Sequence, residues 1–309
     1  MKKATLLFTN GNVLTLDKQN KKAGSVAVAN GKIIGIWQSA EPPKDEVEIT
    51  EETQLVDLEG KTLLPGFVDT HNHILMYALL KDQVNCSTPP NESITDIQQI
   101  IEEKVKETPD GEWVIGYGYD DTLLAEKRHP TKGDLDKVAP NHPIIIRHIS
   151  GHLAVANSLA LELGGLEDDA SDPDGGHFGR DEFGHLNGVL YEPGAMNPVQ
   201  EKTPEKTVDE MVEALEEAAQ EYLAHGITTN SDAAINTLKE LEVHLKAAKS
   251  RKNPMRTQLM IMHHLLREGQ PFEDYSPAQL DQEIQEKSDG LARLDSAKMF
   301  QDGSIQGSA

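Results

Sequence analysis

Short apolar runs separated by polar turn pairs organise the first 65 residues. The run Leu6–Leu16 is broken by Asn10-Gly11, and Ser25–Ala29 is joined to Lys32–Trp37 by Asn30-Gly31. Asn-Gly between apolar runs predicts a hairpin, because both turn residues must accept positive φ. A further strand over Gln54–Leu58 turns at Glu59-Gly60 and runs into Thr62-Leu63-Leu64-Pro65-Gly66. Residues 1–65 therefore read as a small β-domain. Phe67–His71 reads as the next strand, and mixed signals follow to about Asn197. Apolar positions 94, 97, 100, 101 and 105 predict a helix over Ile94–Lys106. Trp113–Tyr119 and Pro143–Ile149 read as strands, and the Gly/Asp-rich stretch 168–188 as loop with one hairpin.

Further on the rhythm becomes regular. Thr203-Pro204 supplies an N-cap and a first-turn proline for a helix over Glu205–Ala224, which Gly226 closes. Ile227–Ser231 reads as a strand, Ile235–Ser250 as a helix and Gln258–His263 as a strand. Pro277–Lys287, capped by Ser276, reads as a helix and Ala297–Phe300 as a final strand. Strand and helix alternating in this way predict an α/β fold with βαβ units around a parallel sheet. Strands beginning near 67, 227, 258 and 297 are four where a closed (β/α)₈ barrel needs eight. Residues 66–309 thus read as the first half of a TIM-type barrel, incomplete at Ala309, with a long insertion at about 78–200.

Composition narrows the class. Hydrophobic residues make up 37 % of 309, with 24 glycines, which is ordinary for a folded globular chain. The longest apolar run, Ile74–Leu80, is far short of the ~20 residues that span a bilayer. The start, Met1-Lys2-Lys3 with a brief apolar stretch to Asn10-Gly11, lacks a small-residue cleavage site and reads as mature structure. One cysteine, Cys86, cannot form an internal disulfide, which points to the cytoplasm. With 52 acidic against 29 basic residues the net charge is −23, so phosphate backbones and anionic membranes are repelled. Neither nucleic acid nor membrane is an expected partner, a small-molecule substrate is, and a homo-oligomer stays open.

The sharpest local feature is Pro65-Gly66-Phe67-Val68-Asp69-Thr70-His71-Asn72-His73. On a strand the side-chain period is two, so His71 and His73 share a face, with Asp69 below them. Two imidazoles at a strand end can hold one divalent metal, and a nearby carboxylate can fix a tautomer or join the ligands. The plainer reading is two polar residues where a strand meets a loop. Gly116-Tyr117-Gly118 is too short for a phosphate-cradling loop.

Leu64 through His73 resembles the first barrel strand of the amidohydrolase superfamily, and the small β-domain before it resembles part of that superfamily's β-sandwich. Further stretches resemble its YtcJ-like (amidohydrolase 3) branch. These are Ser150-Gly151-His152 with Asn157-Ser158, Gly188-Val189-Leu190-Tyr191-Glu192, His225-Gly226-Ile227-Thr228-Thr229 with Asp232, and Lys298-Met299-Phe300-Gln301-Asp302-Gly303-Ser304. The resemblance implies that His71 and His73 are metal ligands and that Lys298 is a metal-bridging lysine, often carbamylated in relatives. It implies that His152 lines the substrate pocket. Glu192 and Asp302 match without an implied role, and at most one of His263 and His264 would approach a metal. His177 and His185 read as loop surface, and Cys86 as a buried small residue. The implied cofactor is a divalent metal, zinc expected, as one or two ions. The implied reaction is hydrolysis of a non-peptide carbon–nitrogen bond in an amide, formamide or cyclic amide. Later ligands of the superfamily, two histidines and a catalytic aspartate, have no counterpart before Ala309, so no catalytic residue is assigned. The alternative is a non-catalytic amino-terminal fragment or interaction protein, with strand edges near 67 and 297 open to another chain.

Overall fold

The structure, a computed structural model, describes residues 2–18 and 22–299. Two compact units emerge: Met1–Val68 with Gly226–Thr228, and Asp69–His225 with Thr229–Ala309.

The first unit is built from short strands: β1 (Lys2–Lys3), β2 (Leu6–Thr9), β3 (Asn12–Leu14), β4 (Lys22–Ala23), β5 (Ser25–Ala29), β6 (Lys32–Trp37), β7 (Val47–Glu48), β8 (Gln54–Asp57) and β9 (Thr62–Leu63). They form three sheets, ordered β6-β5-β2-β8, β4-β3-β9 and β1-β7. The β5–β6 hairpin turns on Asn30 and Gly31, at φ +51° and +70°, the left-handed pair that this tight turn demands. Glu59 and Gly60 repeat it at +49° and +78°. Leu7, Ala27, Ala4 and Val47 fill the core between the strands. The run Leu6–Leu16 is two strands in two different sheets, because Asn10 at φ +53° turns the chain between them.

The second unit holds two sheets. One is ordered β10-β17-β18-β19, from β10 (Phe67–Asn72), β17 (Ile227–Ile235), β18 (Arg256–Met262) and β19 (Ala292–Lys298). The last three run parallel. Phe67 N–H donates to Gly226 O at the start of β10 and His73 faces Asp232 past its end, so β10 runs the same way as β17. Helices α6 (Val208–Ala224), α7 (Leu238–Lys249) and α8 (Pro277–Lys287) alternate with these strands. Leu241, Leu280 and Ile284 of α7 and α8 bury against Leu259 and Ile261 of β18. Full burial of each such side chain contributes about 1.5–3 kcal/mol.

The region 78–200 is more regular than its sequence suggests. It carries a six-stranded mixed sheet, ordered β11-β12-β13-β14-β16-β15. The strands are β11 (Val84–Asn85), β12 (Val114–Tyr119), β13 (Ile144–His148), β14 (Leu153–Ala156), β15 (His177–Arg180) and β16 (Leu186–Tyr191). Helix α2 (Ile94–Glu107) buries Ile94, Ile97 and Ile101 on one face, against Ile144 and Ile146. The opposite face packs Ile145 against α4 (Ser158–Leu163) and α5 (Glu192–Gln200). A strand covered on both faces loses the apolar–polar alternation that would announce it. The apolar run Ile74–Leu80 is helix α1, and α3 spans Lys132–Asp136.

Several boundaries differ from the sequence reading. Helix α6 begins at Val208, not Glu205: Thr207 accepts from Glu210 N–H and the Glu210 carboxylate accepts from Thr207 N–H, closing a capping box. Thr203 instead donates its hydroxyl proton to Gln200 O, beyond the end of α5. Helix α7 begins at Leu238 under a Thr237 cap, because β17 continues to Ile235. The final strand starts at Ala292, and its predicted end at Phe300, like Asp302, lies outside the described residues. No helix among the described residues is long and apolar enough to cross a membrane.

Candidate metal centre

His71 and His73 stand at the C-terminal end of β10, His71 exposed on the strand and His73 half-buried as the N-cap residue of α1. Their ring centroids are 5.8 Å apart and the rings stand edge to face at 88°. Two imidazoles on one tetrahedral ion, with metal–nitrogen bonds near 2.1 Å, have centroids about 5.3 Å apart. The observed separation lies within about 0.5 Å of that value.

Asp69 does not reach either ring as a second carboxylate. Its Oδ1 accepts the backbone N–H of His71 at 3.2 Å, a local turn bond. The carboxylate beside His73 belongs to Asp232 on β17, whose Oδ1 lies 3.8 Å from His73 Nδ1. Asp232 is almost wholly buried. Its Oδ2 accepts from Leu75 N–H at 3.2 Å, at the start of α1, and lies 3.2 Å from His244 Nε2 of α7. Burial alone would push the Asp232 carboxyl up, but His244 and the Leu75 and Ala234 amides outweigh it and hold it below the usual carboxylate value. At 3.8 Å the carboxylate and the His73 ring lie side by side without a hydrogen bond. Sequence reasoning quoted Asp232 without a role, since only the fold brings it beside β10.

Lys298 ends β19, half-buried and opposite Met262 of β18. It shares the C-terminal end of the parallel sheet with the histidine pair, but β10 and β19 are the two edges. Three strand spacings in a flat sheet are about 14 Å, so a common ion needs the sheet to curl. His152 lies elsewhere, ahead of β14, where its Nδ1 is 2.9 Å from Glu192 Oε2. His263 and His264 sit in a 3₁₀ turn, His263–Leu266, rather than on a strand. Arg267 donates to His263 Nε2, and His264 Nε2 lies 2.8 Å from Asn236 O. His177 is not loop: it is in β15, stacked on Tyr191 at 4.3 Å. Cys86 is fully buried, which pushes its thiol up to about 12.

A second group was missed in the sequence. Asp120, Asp121 and His148 each offer a ligand atom within 4.8 Å of the others. Ser150 N–H donates to His148 Nδ1 at 3.1 Å, which puts the ring proton on Nε2, 3.1 Å from Asp121 Oδ1. His148 Nε2 makes no hydrogen bond, so its contact with Asp121 is one of proximity and charge.

The model of the amidohydrolase family matches residues 54–309. The N-substituted formamide deformylase of Arthrobacter pascens is 33 % identical over 257 residues, 82 % of this chain and 46 % of the deformylase. YtcJ of Bacillus subtilis (strain 168) is 26 % identical over 305 residues, 97 % of this chain and 54 % of YtcJ. The chain thus spans about half the length of these relatives. A crystal structure of an uncharacterized metal-dependent hydrolase from Pyrococcus horikoshii OT3 superposes with a TM-score of 0.63 at 23 % identity, over 84 % of this chain and 49 % of that one. That likeness shows the fold.

Proposed function

The chain belongs to the amidohydrolase family, and from that premise we propose that it is a metal-dependent hydrolase of non-peptide carbon–nitrogen bonds. Its substrate would be a small amide, formamide or cyclic amide, and its ion zinc. In this reading residues 1–65 are a β-sandwich portion, and residues 66–309 belong to a TIM-type (β/α) barrel with an insertion at about 78–200. The observation that carries it is the His71–His73 pair with a buried carboxylate set behind His73. The deformylase likeness favours a formamide among the candidate substrates.

His71 and His73 would hold the ion, with Lys298 as a further ligand and His152 in the pocket wall. When bound, the ion polarises a carbonyl and makes water acidic enough to attack near neutral pH. Asp232 would orient His73 once the ion draws the two together, and His244 with the Leu75 and Ala234 amides keeps Asp232 ionised. Overall, water adds its oxygen to the carbonyl carbon, the carbon–nitrogen bond breaks, and the departing amine takes a proton.

N-butylformamide tests this directly. Formate and butylamine are expected in equal amounts from the zinc-loaded chain, with at least a 100-fold loss in His73→Ala. Formate release that is unchanged in a His71→Ala/His73→Ala variant contradicts the reading.

A further inference from the structure

Ile145 and Arg147 alternate onto the same face of β13. Arg147 is half-buried, and its side chain makes no hydrogen bond or ion pair to any described residue. Its Nε is sealed from solvent without a partner. Burial lowers its pKa. The guanidinium remains charged at neutral pH regardless. A partly desolvated, unpaired cation costs a fold stability, and this chain has 52 acidic residues that could have paired with it. None of those described does.

Arg147 lines two cavities, of ≈ 490 and ≈ 800 Å³, that share it with Leu79, Gln83 and Glu240. The smaller is also bounded by His73 and Asp232, and the larger by Trp113 and Ile115. These volumes suit a small-molecule ligand. The acidic residues of the smaller cavity are already engaged: Asp232 by His244 and Leu75, and Glu240 by the Asn236 amide. Arg147 is left as an unanswered positive charge beside the histidine that the proposed chemistry uses.

We propose that Arg147 anchors a free carboxylate on the ligand that fills the cavity beside His73. The substrates would then be amides bearing a carboxylate, of the N-acyl amino acid class. A planar carboxylate matches the guanidinium fork in shape as well as charge. The inference rests on the reading of the His73 cavity as the reaction site.

The test is calorimetric titration of the metal-free chain with N-acetylglycine and with N-acetylglycinamide, which differ at the carboxylate. N-acetylglycine is expected to bind at least 10-fold more tightly. Arg147→Gln should erase that preference and Arg147→Lys should keep part of it, with circular dichroism reporting that both variants fold. Equal affinity for the two ligands in the unmodified chain overturns the proposal, as does a preference that survives in Arg147→Gln. Should Arg147→Gln fail to fold, the unmodified chain and Arg147→Lys still decide it: no carboxylate preference in the former, or one unchanged in the latter, overturns it. Because no metal and no turnover are involved, failure of the hydrolase reading shows separately, as absent formate release with the carboxylate preference intact.

Discussion

His73 Nδ1 lies 3.8 Å from the Asp232 carboxylate, and that contact ties the end of β10 to β17. Asp232 is positioned in turn by the Leu75 amide and by His244, so one buried carboxylate links a strand end, the start of α1 and helix α7. His73 is half-buried beside this carboxylate, whereas His71 is exposed.

Asp232→Ala should act on stability and on metal binding together. It strands buried His244 and the Leu75 N–H, and breaking a buried pair costs about 3 kcal/mol or more. Loss of the carboxylate behind a ligating histidine weakens metal affinity about 10- to 100-fold. Urea unfolding and a zinc titration check the two effects. Unchanged zinc affinity in a folded Asp232→Asn variant contradicts the positioning role.

Acid should remove a defined part of the stability through Asp134, at the start of α3. Burial alone would raise its carboxyl, but the Arg128 guanidinium and the Thr131 hydroxyl and amide outweigh burial and hold it at about 2, below its ordinary 3.8. The unfolded chain thus binds this proton more readily, and the contribution is complete above about pH 4 and fades as pH falls toward 2. In urea unfolding, the stability gap between the natural chain and Asp134→Asn should be full at pH 6 and smaller at pH 3. A gap independent of pH contradicts the assignment.

The start of α6 separates the two readings of its cap. Thr207→Ala should cost about 1 kcal/mol, because it opens the box with Glu210. Thr203→Ala, which loses a single bond to Gln200 O, should cost less. Equal losses in thermal unfolding contradict the observed helix start.

What could be read from the sequence was what neighbouring residues decide. Asn30-Gly31 requires left-handed backbone wherever it lies, and the hairpin forms where expected. The cap Ser276 and the helix Pro277–Lys287 were read from adjacent residues and match in full. Thr203-Pro204 offered similar local signals and lost to Thr207, whose partner Glu210 completes two bonds instead of one. Strand β13 was visible as an apolar run, but the unpaired state of Arg147 appears only after the other elements pack around it. The same holds for Asp232: nothing in the chain near Pro65–His73 announces a carboxylate from β17. The histidine pair was legible; its support was not.

Elemental analysis of purified, size-separated chain, beside the His71→Ala/His73→Ala variant, tests the metal centre most directly. Stoichiometric zinc in the natural chain and its loss in the variant are predicted. A chain that takes up no zinc when it is supplied, or zinc equally abundant in both proteins, would contradict it.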